Sequence, residues 1–100
     1  MDGDPKFYIP NIFSPNDDGI NDVFQVATDL PENVLAMEGK IFDRWGNQVF
    51  SSEEDPFTWD GRFDGTTMNP AVFVYVIKIR YTTNAGEREE VFYGDVTLLR

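Results

Sequence analysis

The sequence contains no histidine and no cysteine, and it has only 8 basic residues against 18 acidic ones. Without His or Cys the chain lacks the commonest general base and the thiol nucleophile of enzymes. It can form neither a disulfide framework nor a thiolate metal site. The formal net charge of −10 repels phosphate groups, so nucleic acids and anionic lipids are poor candidate partners. We therefore expect neither an enzyme nor a nucleic-acid-binding protein.

Long apolar runs are also lacking, so no segment is expected to span or insert into a membrane. The N-terminus, Met1-Asp2-Gly3-Asp4-Pro5, is acidic where a secretory signal peptide would carry basic and then apolar residues. The chain is nevertheless 41% hydrophobic and 15% aromatic, which is typical of a folded domain rather than a disordered tail. We expect residues 1–5 to be a linker remnant and residues 6–100 to form one domain.

The apolar residues follow the two-residue period of β-strands, and no stretch has a helical period. The clearest strand is predicted over residues 71–81, with one wholly apolar face made of Phe73, Tyr75, Ile77, Ile79 and Tyr81. The other predicted strands are 6–13, 22–27, 34–43, 48–50, 57–59 and 89–99, and the last of these is expected to be the hairpin partner of 71–81. Pro10 and Gly39 suggest irregularities within two of them. About seven short strands with closely spaced turns predict an all-β, immunoglobulin-like β-sandwich.

The loop at residues 16–22, Asn-Asp-Asp-Gly-Ile-Asn-Asp, is rich in the side-chain oxygens that calcium prefers. A true EF-hand is excluded, because aligning its glycine with Gly19 puts neutral residues at the first and last ligand positions. A looser calcium site at Asp17, Asp18 and Asp22 stays open, and no other cofactor is expected. The alternative is a plain turn, which Asn, Asp and Gly also favour.

Two tryptophans stand next to turns and each has two interpretations. Trp59, in Thr58-Trp59-Asp60-Gly61, is either a stacking platform for a sugar or a core residue that closes the end of a strand. Trp45 follows Arg44 and precedes Gly46-Asn47, a pair that predicts a hairpin turn. Arg44 and Trp45, on the strand before that turn, form either a structural corner or a recognition patch.

Four segments occur in a fixed order along the chain: Ile9–Phe24 with its Pro-Asn-Asp-Asp-Gly loop, Phe42–Phe50 with Arg-Trp-Gly, Thr58–Gly61, and Gly94–Arg100. Together they resemble the gliding-motility-associated C-terminal domain of Bacteroidetes surface proteins, which is the type B sorting domain of the type IX secretion system. The resemblance covers residues 8–100. Asp17, Asp43 and Ala71 depart from the family pattern, which usually has Gly, Asn and Gly there.

The resemblance implies a non-catalytic C-terminal sorting domain that directs a cargo protein to the cell surface or medium. It implies that the chain is a C-terminal piece of a longer exported protein, with an added initiator methionine. The expected partners are the type IX translocon and an SprF-like outer-membrane protein, with Arg44, Trp45, Gly46 and Arg100 as partner-recognition candidates. The alternative is an adhesive or carbohydrate-binding module, which needs exposed aromatic side chains. Burial of both Trp45 and Trp59 would favour the sorting domain.

Overall fold

The computed structural model describes residues 4–15, 19, 22–63 and 65–99. Within these ranges the only helix is a single 3-10 turn, Pro31–Asn33, and the chain otherwise forms strands and turns. No described helix is long and apolar enough to cross a membrane. The strands are β1 (Phe7–Tyr8), β2 (Ile12–Phe13), β3 (Phe24–Gln25), β4 (Ala27–Thr28), β5 (Val34–Phe42), β6 (Gln48–Ser52), β7 (Thr58–Trp59), β8 (Arg62–Phe63), β9 (Thr66–Thr67), β10 (Ala71–Thr83) and β11 (Gly86–Leu98).

The main sheet has five strands in the order β2-β11-β10-β5-β6. Its centre is the long β10–β11 hairpin, in which Ala71 lies opposite Leu98 and Thr83 lies opposite Gly86. On the other side of β10, strand β5 runs antiparallel and continues into β6 through a short turn. Strand β2 is parallel to β11. The predicted hairpin between the two long C-terminal strands is therefore confirmed.

Short strands form the second layer. β1 pairs with β4 and β3 pairs with β7. The Val26 N–H donates to the Phe57 carbonyl at 3.1 Å, and the Asp29 N–H donates to the Lys6 carbonyl at 3.4 Å. These bonds place residues 24–28 between the first and the seventh strand, opposite the main sheet. The all-β sandwich prediction is confirmed, and its immunoglobulin-like character stays a prediction.

The core lies between the two layers and is rich in aromatic side chains. The inner face of β10 supplies Phe73, Ile77 and Ile79, which are almost completely buried, while Tyr75 is partly exposed. This is the face that the alternation of residues 71–81 predicts. Further large buried side chains come from the second layer and its flanking loops, namely Phe24, Val26, Phe57 and Trp59, and from β2 of the main sheet, namely Phe13. Burial of these side chains supplies most of the driving force for folding.

Two predicted strands are each divided into two. Residues 6–13 form β1 and β2 in different layers, and Pro10 lies where the chain passes from one layer to the other. Proline has no N–H to donate to a ladder, so a position between two pairings suits it. The predicted strand 22–27 is also divided, into β3 and β4, but both of these lie in the second layer. The β8–β9 hairpin was not predicted, because two-residue strands show no readable alternation.

The suggestion of a bulge at Gly39 is wrong. The register of β5 shifts instead opposite Arg80 and Tyr81, and again between Ile41 and Phe42. At Gly39 the Phe57 ring packs directly on the backbone, and a Cβ there would stand 2.7 Å from its nearest carbon. The glycine is required by this close approach, which brings the loop before β7 onto the main sheet.

Candidate functional site

The turn between β5 and β6, residues 43–47, is the most tightly organised exposed segment among the sequence-predicted sites; we call it the β5–β6 tip. Asp43 Oδ1 accepts the N–H groups of Trp45 and Asn47, both at 2.9 Å, and its Oδ2 accepts the Asn47 side-chain amide at 3.0 Å. The Gly46 N–H donates to the Asp43 carbonyl at 3.1 Å. Gly46 has a φ of 87°, a conformation that glycine adopts without steric cost.

These hydrogen bonds fix the charge state of the tip. Donation by Asn47, first from its backbone and then from its side chain, holds the pKa of the Asp43 carboxyl below its ordinary value; the Trp45 N–H adds to the effect. Hydrogen bonds to a carboxylate stabilise the ionised form. Asp43 is therefore a charged acceptor at neutral pH, and it holds the turn in one conformation.

The tip presents Arg44 and Trp45 to solvent. The Trp45 side chain is 76% exposed, and the Arg44 guanidinium carbon lies 5.1 Å from the centroid of its ring, within the range of a cation–π contact. The prediction that these two residues lie on the strand is wrong, since both belong to the turn itself. An exposed tryptophan on a rigid turn has the properties of an anchor residue in a protein interface.

Trp59 has the opposite environment. Its side chain is 0% exposed and its ring centroid lies 5.5 Å from that of Phe13 and 5.1 Å from that of Phe73. Its indole N–H donates to the Arg62 carbonyl at 3.0 Å, so the polar atom is satisfied within the fold. A sugar platform at Trp59 is excluded, and the core interpretation is confirmed. With Trp45 exposed and Trp59 buried, the two tryptophans do not by themselves separate a sorting domain from an adhesive module.

Two of the calcium candidates, Asp17 and Asp18, lie outside the described residues, as does the recognition candidate Arg100. Of the three candidate ligands only Asp22 is described. Its Oδ2 accepts the Gly19 N–H at 2.7 Å, while its Oδ1 is buried without a hydrogen-bond partner. No group of three or more His, Cys, Asp or Glu side chains suited to a metal ion occurs within the described ranges.

Two further surfaces could take part in recognition and were not assigned from the sequence. Strand β6 lies at one edge of the main sheet, and no described strand pairs with its far side. The outer face of β10 is also apolar at Val72, Val74 and Val76. The sequence does indicate the second surface, because β10 has apolar residues on both faces. A strand with one face in solvent normally alternates apolar and polar residues.

Comparison with protein-family models gives a match to the CHU_C type IX secretion signal domain over residues 7–96. That range runs from the first residue of β1 to the inward-facing Val96 of β11, and so includes both layers and the β5–β6 tip. No curated protein matches the chain. A family of this description carries a signal for export through the type IX secretion machinery. The chain belongs to the type IX secretion signal domain family.

Proposed function

We propose that this domain is a non-catalytic C-terminal sorting domain, which directs a cargo protein through the type IX secretion system to the cell surface or the medium. The observation that carries the proposal is the family match over residues 7–96. The matched region is a whole folded sandwich rather than a short peptide, because it needs both layers to bury Trp59 and Val96. The address read by the machinery is therefore the surface of the folded domain.

The proposed mechanism is docking of the folded sandwich on an outer-membrane component, with the translocon and an SprF-like protein as partners. The recognition residues are Arg44, Trp45 and Gly46 at the β5–β6 tip, together with Arg100. The tip supports this role because Asp43 holds it in one conformation before binding, which lowers the entropy lost on association. The open edge of β6 offers a second contact, by addition of a partner strand.

Export of a reporter tests the proposal. The chain is fused behind a signal peptide and a fluorescent protein, and expressed in a Bacteroidetes host that has the type IX system and in a mutant lacking the translocon. We expect the reporter at the surface or in the medium of the first host, and in the periplasm of the second. Delivery without the translocon, or no delivery in the competent host despite a folded domain, would refute the proposal.

The exposed ring of Trp45 also supports the alternative, an adhesive or carbohydrate-binding module, since exposed aromatic faces stack on sugars. Titration with a panel of polysaccharides, followed by tryptophan fluorescence, distinguishes the two. Because Trp59 is buried, a change on binding would come from Trp45. Saturable binding lost in Trp45→Ala, combined with failure of export, would favour the adhesive module.

A calcium ion held by Asp17, Asp18 and Asp22 stays a separate proposal. Its support is the buried Asp22 Oδ1, an acceptor without a hydrogen-bond partner. An ion that binds only the native state raises its stability by mass action. We expect a higher melting temperature in millimolar calcium than in chelator, and loss of the difference in Asp22→Asn. Equal melting temperatures and no calorimetric binding signal would leave the loop as a turn without a metal.

A further inference from the structure

The outer face of the main sheet, turned away from the second layer, carries a continuous apolar patch. In β10 the buried Phe73, Ile77 and Ile79 point inward, so the residues between them point outward. Residues opposite one another in the ladder share a face. The outer-face patch consists of Phe42, Val72, Val74, Val76, Val91 and Tyr93.

The patch is open to solvent. Tyr93 is 75% exposed and Val91 is 49% exposed, and they adjoin Val76, which lies directly opposite Tyr93. The other half of the same face is polar, with Lys78 paired to Glu38 at 2.7 Å and Arg80 paired to Glu87 at 3.4 Å. One half of the face thus shows the polar side chains expected of a solvated sheet. The apolar half leaves Val72, Val76, Val91 and Tyr93 exposed in the isolated fold. Exposed apolar patches of this kind mark interaction sites.

The patch adjoins the β5–β6 tip. Phe42, the last residue of β5, lies opposite Val74 and is followed directly by Asp43 of the tip. A groove at the Val76–Val91 end of the patch is otherwise lined mostly by polar and charged residues, among them Lys40. The tip and the patch are therefore adjacent parts of one surface, and a single partner can cover both.

Charge identifies the kind of partner. The chain carries a formal net charge of −10, so a second copy or an anionic lipid surface is repelled. Asp95 lies within the patch, opposite Val74, and forms no ion pair with any described residue. On the same face Lys78 and Arg80 are already paired with other carboxylates, and Lys40 lies across β10 from the strand that carries Asp95. Burial of Asp95 under a partner requires a cation opposite it.

We propose that the outer-face patch docks a protein of the type IX machinery whose surface presents apolar side chains around a Lys or Arg that pairs with Asp95. The inference rests on the proposed function and adds the docking face and the partner's chemistry. Aromatic and aliphatic side chains at the centre would exclude water, and the ion pair would fix the orientation. The Trp45 anchor would bind at one end of the same interface.

The apolar contact is tested in the reporter assay with the full chain and the double variant Val76→Thr/Tyr93→Thr. Threonine retains the preference for strands, so the melting temperature should stay close to that of the wild type. We expect export to fall about tenfold, the effect of losing one hot-spot contact. The control is Leu35→Thr, which removes an apolar side chain of similar exposure outside the patch and should be exported normally.

The ionic contact is tested with Asp95→Lys. This variant keeps Val76 and Tyr93, so its result holds even if Val76→Thr/Tyr93→Thr fails to fold. Export should again fall about tenfold. Glu32→Lys makes the same change in net charge on an exposed residue of the 3-10 turn and should leave export unchanged. An equal loss in both variants would point to net charge rather than to a contact at Asp95, and would overturn the ion pair.

The outcomes separate this inference from the proposed function. Normal export of the wild type and of the folded patch variants would overturn the docking face and leave the sorting function intact. A reporter that stays periplasmic in the competent host even with the wild-type domain would overturn both. Sedimentation of the purified chain tests the other occupant: a concentration-dependent dimer that Val76→Thr/Tyr93→Thr abolishes would assign the patch to a second copy.

Discussion

The two tryptophans of this domain stand in similar sequence surroundings and in opposite environments. Each lies next to a turn that contains a glycine of positive φ, Gly46 after Trp45 and Gly61 after Trp59. Trp59 contacts aromatic rings of the main sheet and is completely buried, whereas Trp45 is 76% exposed and contacts the neighbouring Arg44. The fold depends on Trp59, and Trp45 is free for a partner.

The glycines after the two tryptophans differ in the same way, one being packed against the core and the other exposed. A Cβ on Gly61 would stand 2.9 Å from Leu98 Cδ1 and 3.4 Å from the Phe13 ring, whereas a Cβ on Gly46 would meet nothing within 4 Å. The turn after Trp59 is therefore held by the core. The turn at Trp45 is held by a single carboxylate, Asp43, through hydrogen bonds on the surface. Core packing stabilises the turn after Trp59, whereas local hydrogen bonds stabilise the turn at Trp45.

Removal of the two indole rings should give the largest difference. Trp59→Ala leaves a cavity in an aromatic cluster and should lower the free energy of unfolding by about 3–5 kcal/mol. Trp45→Ala removes an exposed side chain and should change it by less than about 0.5 kcal/mol. Urea unfolding of both variants measures the difference. Similar losses would mean that Trp45 packs against the fold, contrary to its exposure.

Substitution of Gly61 and Gly46 should give a smaller difference in stability than substitution of the two tryptophans, again with the larger loss at the core turn. Both substitutions force an L side chain into positive φ, at a cost of about 1–2 kcal/mol. Gly61→Ala should cost about 2–4 kcal/mol, because the added methyl group also overpacks against Leu98. Gly46→Ala should cost only this conformational strain of about 1–2 kcal/mol. Thermal unfolding checks the order, and a larger effect at Gly46 would contradict the account.

Acid should loosen the β5–β6 tip before it affects Trp59. Because the folded-state pKa of Asp43 lies below the ordinary value, its stabilising effect is complete above that value and is lost as the pH falls through the folded-state pKa. The amide resonances of Trp45 and Asn47 should shift over that acidic range. In Asp43→Asn, which accepts hydrogen bonds without titrating, they should not move. A shift beginning near neutral pH would exclude Asp43 as its cause.

The sequence predicted the long strands well and the short ones poorly. Residues 71–81 alternate over a length that makes the core face readable, and β10 and β11 pair as expected. In residues 6–13 the chain changes layer after a two-residue strand, and no periodicity can show that. The packing of Phe57 on Gly39 is a long-range contact that the local pattern did not reveal.

The candidate site was predicted in part for the same reason. Arg44-Trp45-Gly46 could be singled out because a turn of this composition is local, and the Gly46 turn is present as expected. The sequence did not show which tryptophan is exposed, because burial depends on what the other layer places above each ring. The outer-face patch needed the register of β10 against β11, which brings Val76 opposite Tyr93.

The most direct test of this account is surface delivery of the reporter by Trp45→Ala, compared with the wild type and with the control Leu35→Ala. Leu35 is also exposed but lies at the start of β5, far along the strand from the tip. We predict equal melting temperatures for the three chains, normal delivery by the control, and about tenfold lower delivery by Trp45→Ala. Delivery by a folded Trp45→Ala at the wild-type level would contradict the claim that this tryptophan serves recognition.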